Sequence, residues 1–145
     1  MDTSPAYHFL PVRGQPAVDG VWSLETGPGE DRIAPDTSCE LIFHLADPPQ
    51  EWTGTGWKQQ PRTLLYGPLT RVLQLRFAGP MKLRAIRLKP GGIGALASNP
   101  AALRDASHDL AGIMGETLAS SLEHAARRGL TELRDHALAL PAPPA

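Results

Sequence analysis

The stretch from residue 64 to residue 92 constrains the fold more than any other part of the chain. Three short apolar-rich runs lie in it or at its start, at residues 63–66, 71–77 and 81–88, and Gly-Pro or Pro-Gly pairs separate them. Runs of this length between turn residues are typical of β-strands joined by tight turns. The stretch therefore predicts a mainly β domain.

Two further strands are predicted upstream, at residues 18–25 and 38–46. The second alternates most clearly. One of its faces would carry Cys39, Leu41, Phe43 and Leu45, and the other would carry Glu40, Ile42 and His44. The first face is predicted to be core. The pattern leaves three possibilities for the second face: solvent, a covered sheet face or the wall of a pocket.

The remaining segments are less regular. Residues 1–20 are predicted to be an entry arm, because Pro and Gly interrupt any long element. The polar connection 50–62 contains Trp52 and Trp57, which could form a binding lip or an aromatic pair that clamps a hairpin.

Helical segments are predicted after residue 92. Asn99 and Pro100 can begin a helical turn or two, and residues 107–114 are predicted to form a further short turn. Helices are expected over 116–128 and 131–140, with Gly129 as a left-handed cap between them. We divide the chain into a β-barrel part (1–92), a helical section of the same domain (93–140) and a tail (141–145).

Charge is unevenly distributed along a chain whose formal net charge is −1. Residues 1–51 carry nine acids and two bases, residues 52–104 carry nine bases and no acid, and residues 105–145 carry six acids and three bases. The basic third could form a surface for an anion or nucleic acid. We favour cross-strand pairing with the acidic third, which is available to neutralise it.

Composition and motifs exclude several classes of protein. The 145 residues fit one domain, no apolar run approaches 18 residues, and the N-terminus does not resemble a secretory signal. The single Cys39 cannot form an internal disulfide, which fits a reducing cytoplasm. No H-x-H pair, G-x-S-x-G turn, phosphate loop or H-E-x-x-H motif is present. We therefore predict no catalytic residue, no metal site and no cofactor.

Four segments, in this order, resemble the N-terminal effector domain of AraC-type bacterial transcriptional regulators. They are Trp22 after a Pro-rich arm, IAPDTSCELIFHL (33–45), PRTLLYGPLTRVLQL (61–75) and the segment 86–115, which begins IRLKPGG. The resemblance spans residues 5–120. It implies a cupin-like β-barrel or sandwich, followed by a small α-helical section that supports dimerisation and leads to a DNA-binding part.

The resemblance implies a ligand-sensing and dimerisation domain rather than an enzyme. Its partners would be an unidentified small-molecule effector and a second copy of the chain, with no membrane. DNA would be contacted only through a C-terminal helix-turn-helix part that this sequence does not include. The alternatives are a stand-alone small-molecule-binding cupin-like protein, with metal-free enzymatic activity, and an oligomerisation module without a ligand.

Candidate ligand-binding residues follow from strand faces. Glu40 and His44 share one face of their strand, and a hairpin at Gly79-Pro80 would bring Arg76 and Arg87 together. Trp22 could provide a flat wall. Buried charges must be paired or ligand-bound, so the alternative is a structural bridge between Glu40 and an Arg across the sheet.

Candidate dimerisation residues lie on the predicted helices. They are Leu118, Leu122, Leu133 and Leu140. Such a stripe offers apolar surface to a second copy of the chain. The alternative is that the stripe packs back on the sheet.

Overall fold

The computed structural model of the chain describes residues 6–97 and 99–141. The first five residues of the predicted arm and residues 142–145 of the predicted tail lie outside the described residues. The described part contains these strands: β1 Ala6–Pro11, β2 Val18–Thr26, β3 Gly29–Ile33, β4 Glu40–His44, β5 Gln50–Trp52, β6 Trp57–Gln59, β7 Thr63–Tyr66, β8 Leu73–Phe77, β9 Met81–Leu88 and β10 Ser107–Asp109. Its α-helices are α1 Leu110–Met114, α2 Glu116–Arg128 and α3 Leu130–Ala137, and 3₁₀ turns occupy Gly92–Ala95 and Pro100–Leu103.

The strands form two antiparallel sheets. The larger sheet has the order β1-β2-β9-β4-β7-β10, and the smaller sheet has the order β3-β8-β5-β6. One face of the larger sheet packs on the smaller sheet, where Leu64 of β7 clusters with Leu73 and Leu75 of β8. The predicted fold class is confirmed in its architecture, a mainly β sandwich of two antiparallel sheets followed by a small helical section.

The helices cover the other face of the larger sheet, so this sheet is the middle of three layers. Leu41 and Phe43 of β4 belong to a buried cluster that also contains Leu122 and Leu133 of the helices. Because side chains alternate along a strand, Ile42 of β4 faces the smaller sheet instead. The face of β4 that the sequence left undecided is therefore a covered sheet face, and part of it is a pocket wall.

Two residues, Arg84 and Gln15, form hydrogen bonds with the C-terminal ends of α2 and α3. Arg84 Nη1 of β9 donates a hydrogen bond to the carbonyl oxygen of Ala126 (2.6 Å), in the last turn of α2. Carbonyl groups in a last turn lack helical partners, and a cation there is favourable. The buried Gln15 amide donates to the carbonyl oxygen of Leu140 (2.9 Å), just beyond α3.

The leucine stripe predicted for dimerisation is not a free surface. Leu122, Leu133 and Leu140 are buried within the chain, and Leu118 is partly buried against the same cluster. The stripe packs back on the sheet because the middle layer needs an apolar cover on this side. These leucines are therefore core residues, and self-association itself stays a prediction.

Several local predictions need correction. The turn at Gly79-Pro80 does not close a hairpin, since β8 and β9 belong to different sheets. The entry arm contains a strand, β1, which pairs with β2 along its length. Residues 107–109 form an edge strand before α1. Gly129 has an extended backbone (φ 162°) rather than a left-handed one.

Other local predictions are confirmed. The segment 50–62 contains a hairpin in which Trp52 lies opposite Trp57, with ring centroids 5.5 Å apart. Two of the nine bases in the basic third, Lys82 and Arg87, form ion pairs with acids on neighbouring strands. Lys82 contacts Glu25 (3.2 Å) across the β2–β9 pair, as expected from the charge distribution.

Candidate functional site: a cavity between the two sheets

A cavity of about 300 Å³ lies between the two sheets, and we call it the central cavity. A volume of this size is at the lower end of the range for small-molecule sites. Its apolar wall comes from both sheets: Leu24, Ile42, Leu73, Leu75, Met81 and Leu83. Its polar groups come from β4, from the neighbouring strands β7 and β9, and from residues outside them, including Asp31, Asp36 and Gln60.

Glu40 is the centre of one polar group in the cavity wall. Its Oε1 accepts a hydrogen bond from Arg87 Nε (2.9 Å), and its Oε2 accepts one from Trp22 Nε1 (2.9 Å). Arg87 lies directly opposite Glu40 in the β4–β9 pair. Burial raises the pKa of Glu40 above its ordinary value, although the bonds from Trp22 and Arg87 act in the opposite direction. This group is the structural bridge that the sequence left as an alternative to a ligand role.

Aromatic rings from β1 complete this end of the cavity. The Tyr7 ring lies 5.7 Å from the Trp22 ring, and the Arg87 guanidinium lies 5.8 Å from the Phe9 ring. Phe9 rests on Gly20, where a Cβ atom would overlap its ring. The edge strand β1 therefore packs closely against this end of the cavity, although its residues are largely exposed.

His44 provides the polar group at the other end of β4. Its side chain is 2 % exposed, and Nε2 lies 3.0 Å from the side-chain oxygen of Gln60. Because Gln60 Oε1 can only accept, His44 carries its proton on Nε2, and Nδ1 is an acceptor. Nδ1 is buried without a hydrogen-bond partner among the described residues. A buried polar atom of this kind calls for an explanation, such as an ordered water or a ligand donor that reaches it after a shift of the cavity wall.

Burial of His44 also predicts a pH-dependent stability. Desolvation lowers the pKa of His44, the bond to Gln60 opposes this effect, and the charge of Arg62 adds to it. The unfolded chain therefore takes up a proton near pH 6.5 that the folded chain does not. We expect the free energy of unfolding to fall from pH 7 towards pH 5, by at most about 1.4 kcal/mol per pH unit.

Chemical denaturation at several pH values measures this slope. Replacement of His44 by Phe should flatten it, whereas replacement of the exposed His8 by Phe should leave it unchanged. An equal slope in the parent and in the His44→Phe variant would contradict the assignment.

A second polar group links the two sheets beside the central cavity. Glu51 of β5 is buried and accepts hydrogen bonds from the Tyr66 hydroxyl (3.1 Å) and from the Ser107 hydroxyl. Tyr66 also lines the central cavity. Burial raises the pKa of Tyr66, and the neighbouring Glu51 carboxylate adds to the effect, so Tyr66 is a neutral hydrogen-bond donor at neutral pH.

The structure brings together four of the five predicted ligand-binding residues. Trp22, Glu40, His44 and Arg87 all line the central cavity. Arg76 does not, because it lies on the outer face of β8, where it donates to Gln50 Oε1 (2.7 Å) and lies 4.2 Å from the Trp57 ring.

Sequence reasoning did not find the other polar residues of this region. They include Asp31, Asp36, Glu51, Gln60 and Tyr66. Glu51 and Gln60 lie in a segment without clear alternation, and Tyr66 ends an apolar run. Only the position of Tyr66 at the end of a predicted strand could have pointed to the site.

Within residues 6–97 and 99–141, no three His, Cys, Asp or Glu side chains are grouped so that they could hold a metal ion. None of the helices described there is long and apolar enough to cross a membrane.

A family model matches residues 15–109, which is more than half of the chain. This model is the domain of unknown function DUF6597. The chain belongs to the DUF6597 family. The matched residues include β2 to β10 and therefore nearly all of the central cavity. No curated protein sequence matches this DUF6597 domain.

Solved structures that resemble the DUF6597 domain include cupin domains. A Cupin_2 domain of an XRE family transcriptional regulator from Enterobacter cloacae is 10 % identical, with a TM-score of 0.46 over 59 % of this chain and 97 % of that one. A cupin domain from Bordetella pertussis is 16 % identical, with a TM-score of 0.40 over 59 % and 95 %. A DMSP lyase from Ruegeria pomeroyi is 12 % identical, with a TM-score of 0.44 over 59 % and 47 %. None of these likenesses assigns a function to the chain.

Proposed function

We propose that this DUF6597 domain is the ligand-sensing domain of an AraC-type transcriptional regulator and that its effector binds in the central cavity. The observation that carries the proposal is His44, which is buried in the wall of an apolar cavity with an unsatisfied Nδ1. A spacer domain has no need for such a group, because an unpaired buried acceptor costs about 1–3 kcal/mol.

The position of the cavity also supports a sensing role. Arg87 and Leu83 of β9 line the cavity, whereas Arg84 and Ile86 of the same strand face the helices. Leu83 in the cavity wall is therefore adjacent in sequence to Arg84, which contacts the end of α2. A shift of Leu83 would move Arg84 as well. In an AraC-type regulator, the segment after these helices leads to the part that binds DNA.

Thermal unfolding in the presence of small molecules tests the proposal. Ligands that bind the folded state raise its stability, by about 2.7 kcal/mol at one hundred times Kd. We expect molecules that stabilise the parent to stabilise the His44→Phe and Glu40→Gln variants less. The matched control is Arg76→Gln, which changes a charge on the outer face of the same sandwich.

The outcome distinguishes a cavity ligand from a surface ligand. A molecule that stabilises both cavity variants as much as the parent would contradict the site. A Leu83→Trp variant that fills the cavity should lose the ligand effect while still unfolding cooperatively.

A further inference from the structure

The charged groups of the central cavity are not balanced. Three acidic side chains line it, from Asp31, Asp36 and Glu40, against one guanidinium, from Arg87. Arg87 is already engaged by Glu40, and Glu40 also accepts from Trp22. Asp31 and Asp36 are exposed at the cavity and have no salt bridge among the described pairs. The lining therefore has a surplus of negative charge that favours a cation.

The aromatic rings lie at the same end as this surplus. Tyr7 and Trp22 line the cavity next to Glu40 and Arg87, and Asp36 is close enough to affect both members of that ion pair electrostatically. Trp is the best ring partner for a cation. Donation from Trp22 Nε1 to a carboxylate also increases the electron density of the indole ring, which strengthens its attraction for a positive charge.

The two ends of the cavity favour different chemical groups of a ligand. His44 lies four residues from Glu40 on β4, about 13 Å along the strand. The positive charge of Arg62 acts on His44, which disfavours a second cation at that end. The free acceptor of His44 suits a neutral O–H or N–H group, and Ile42 and Leu83 line the wall between the two ends.

We infer that the ligand of the central cavity is an amphipathic organic cation. Its ammonium group lies among Trp22, Tyr7, Asp36 and Glu40, its apolar body lies against the leucines and Ile42, and a neutral donor at its far end meets His44 Nδ1. This inference rests on the proposed function, because it specifies the ligand class of the same cavity.

Matched probes of different charge test the inference on the intact chain. Tyramine has an ammonium group and a phenol hydroxyl at opposite ends of an apolar body. Tyrosol replaces the ammonium with a neutral hydroxyl, 3-(4-hydroxyphenyl)propanoate replaces it with a carboxylate, and phenethylamine lacks the phenol hydroxyl. Calorimetry and thermal unfolding at fixed salt would give their affinities.

We expect tyramine to bind at least about tenfold more tightly than tyrosol or the propanoate, a preference equivalent to one ion-pair or cation–π contact. Asp36→Asn should reduce the affinity for tyramine and leave that for tyrosol unchanged. His44→Phe should reduce the affinity for tyramine to the affinity for phenethylamine. Arg76→Gln is the control variant and should change neither.

Each of three other outcomes would contradict the inference, and one of them would also contradict the proposed function. Equal or tighter binding of tyrosol or the propanoate, lost in the Leu83→Trp variant, would overturn the charge inference and leave the proposed function standing. Tyramine binding that Leu83→Trp does not weaken would place the cation on the surface and overturn the inference. No binding of any probe up to about 10 mM would count against both the inference and the proposed function.

Discussion

Replacement of Leu122 by alanine should lower the free energy of unfolding by about 2–5 kcal/mol. Leu122 is 1 % exposed in the middle of α2, and it belongs to the cluster between the helices and the larger sheet. Removal of its side chain leaves a cavity that the surrounding sheet and helices cannot close. Urea denaturation measures the effect.

Leu138 provides the matched control for this prediction. It is 48 % exposed just beyond α3, so Leu138→Ala should change the stability by no more than about 0.5 kcal/mol. Light scattering on the same samples separates core packing from dimerisation. A Leu122→Ala variant that kept its stability but changed from dimer to monomer would contradict the core assignment and restore the dimer surface predicted from the sequence.

Replacement of Glu51 by alanine should lower the free energy of unfolding by about 2–4 kcal/mol. The change leaves the buried hydroxyl of Tyr66 and the hydroxyl of Ser107 without their acceptor, and each unsatisfied group costs about 1–3 kcal/mol. It also breaks a link between the larger and the smaller sheet. Glu51→Gln should be milder, because the amide oxygen still accepts one hydrogen bond.

A double-mutant cycle with Tyr66→Phe identifies the interaction. Glu51→Ala should lower the free energy of unfolding by less in the Tyr66→Phe background, because the tyrosine hydroxyl that would lose its acceptor is absent there. The exposed Glu30 of β3 is the control, and Glu30→Ala should have almost no effect. Equal costs of Glu51→Ala in both backgrounds would show that Tyr66 and Glu51 do not depend on each other.

Strand alternation predicted the parts of the fold in which each strand has two different faces. In β4 it separated Leu41 and Phe43 from Glu40 and His44, and both sets of side chains lie on the predicted faces. Alternation also separates the two faces of β8, where Leu73 and Leu75 face the other sheet and Arg76 faces outward. The bounds of β7, β9 and α2 were also predicted correctly, because Gly and Pro or a clear helical period mark them.

The rest depends on contacts that no local pattern contains. Whether the chain folds back or crosses to the facing sheet at Gly79-Pro80 is decided by packing, and this choice separates Arg76 from Arg87. The strands β1 and β10 are the edges of the larger sheet, one largely exposed and the other three residues long, so neither has a periodic signal. Glu51 becomes buried only because Tyr66 and Ser107 arrive from distant parts of the chain.

The most direct test of the ligand site is methyl NMR of the chain during titration with the small molecule that raises its unfolding temperature most. Ile42, Met81 and Leu83 report on the central cavity, and Ile86 and Leu122 report on the opposite side of the same sheet. We predict that the methyl signals of the first group shift first and most strongly. Shifts confined to Ile86, Leu122 or the exposed Leu138, with the cavity signals unchanged, would contradict the central claim.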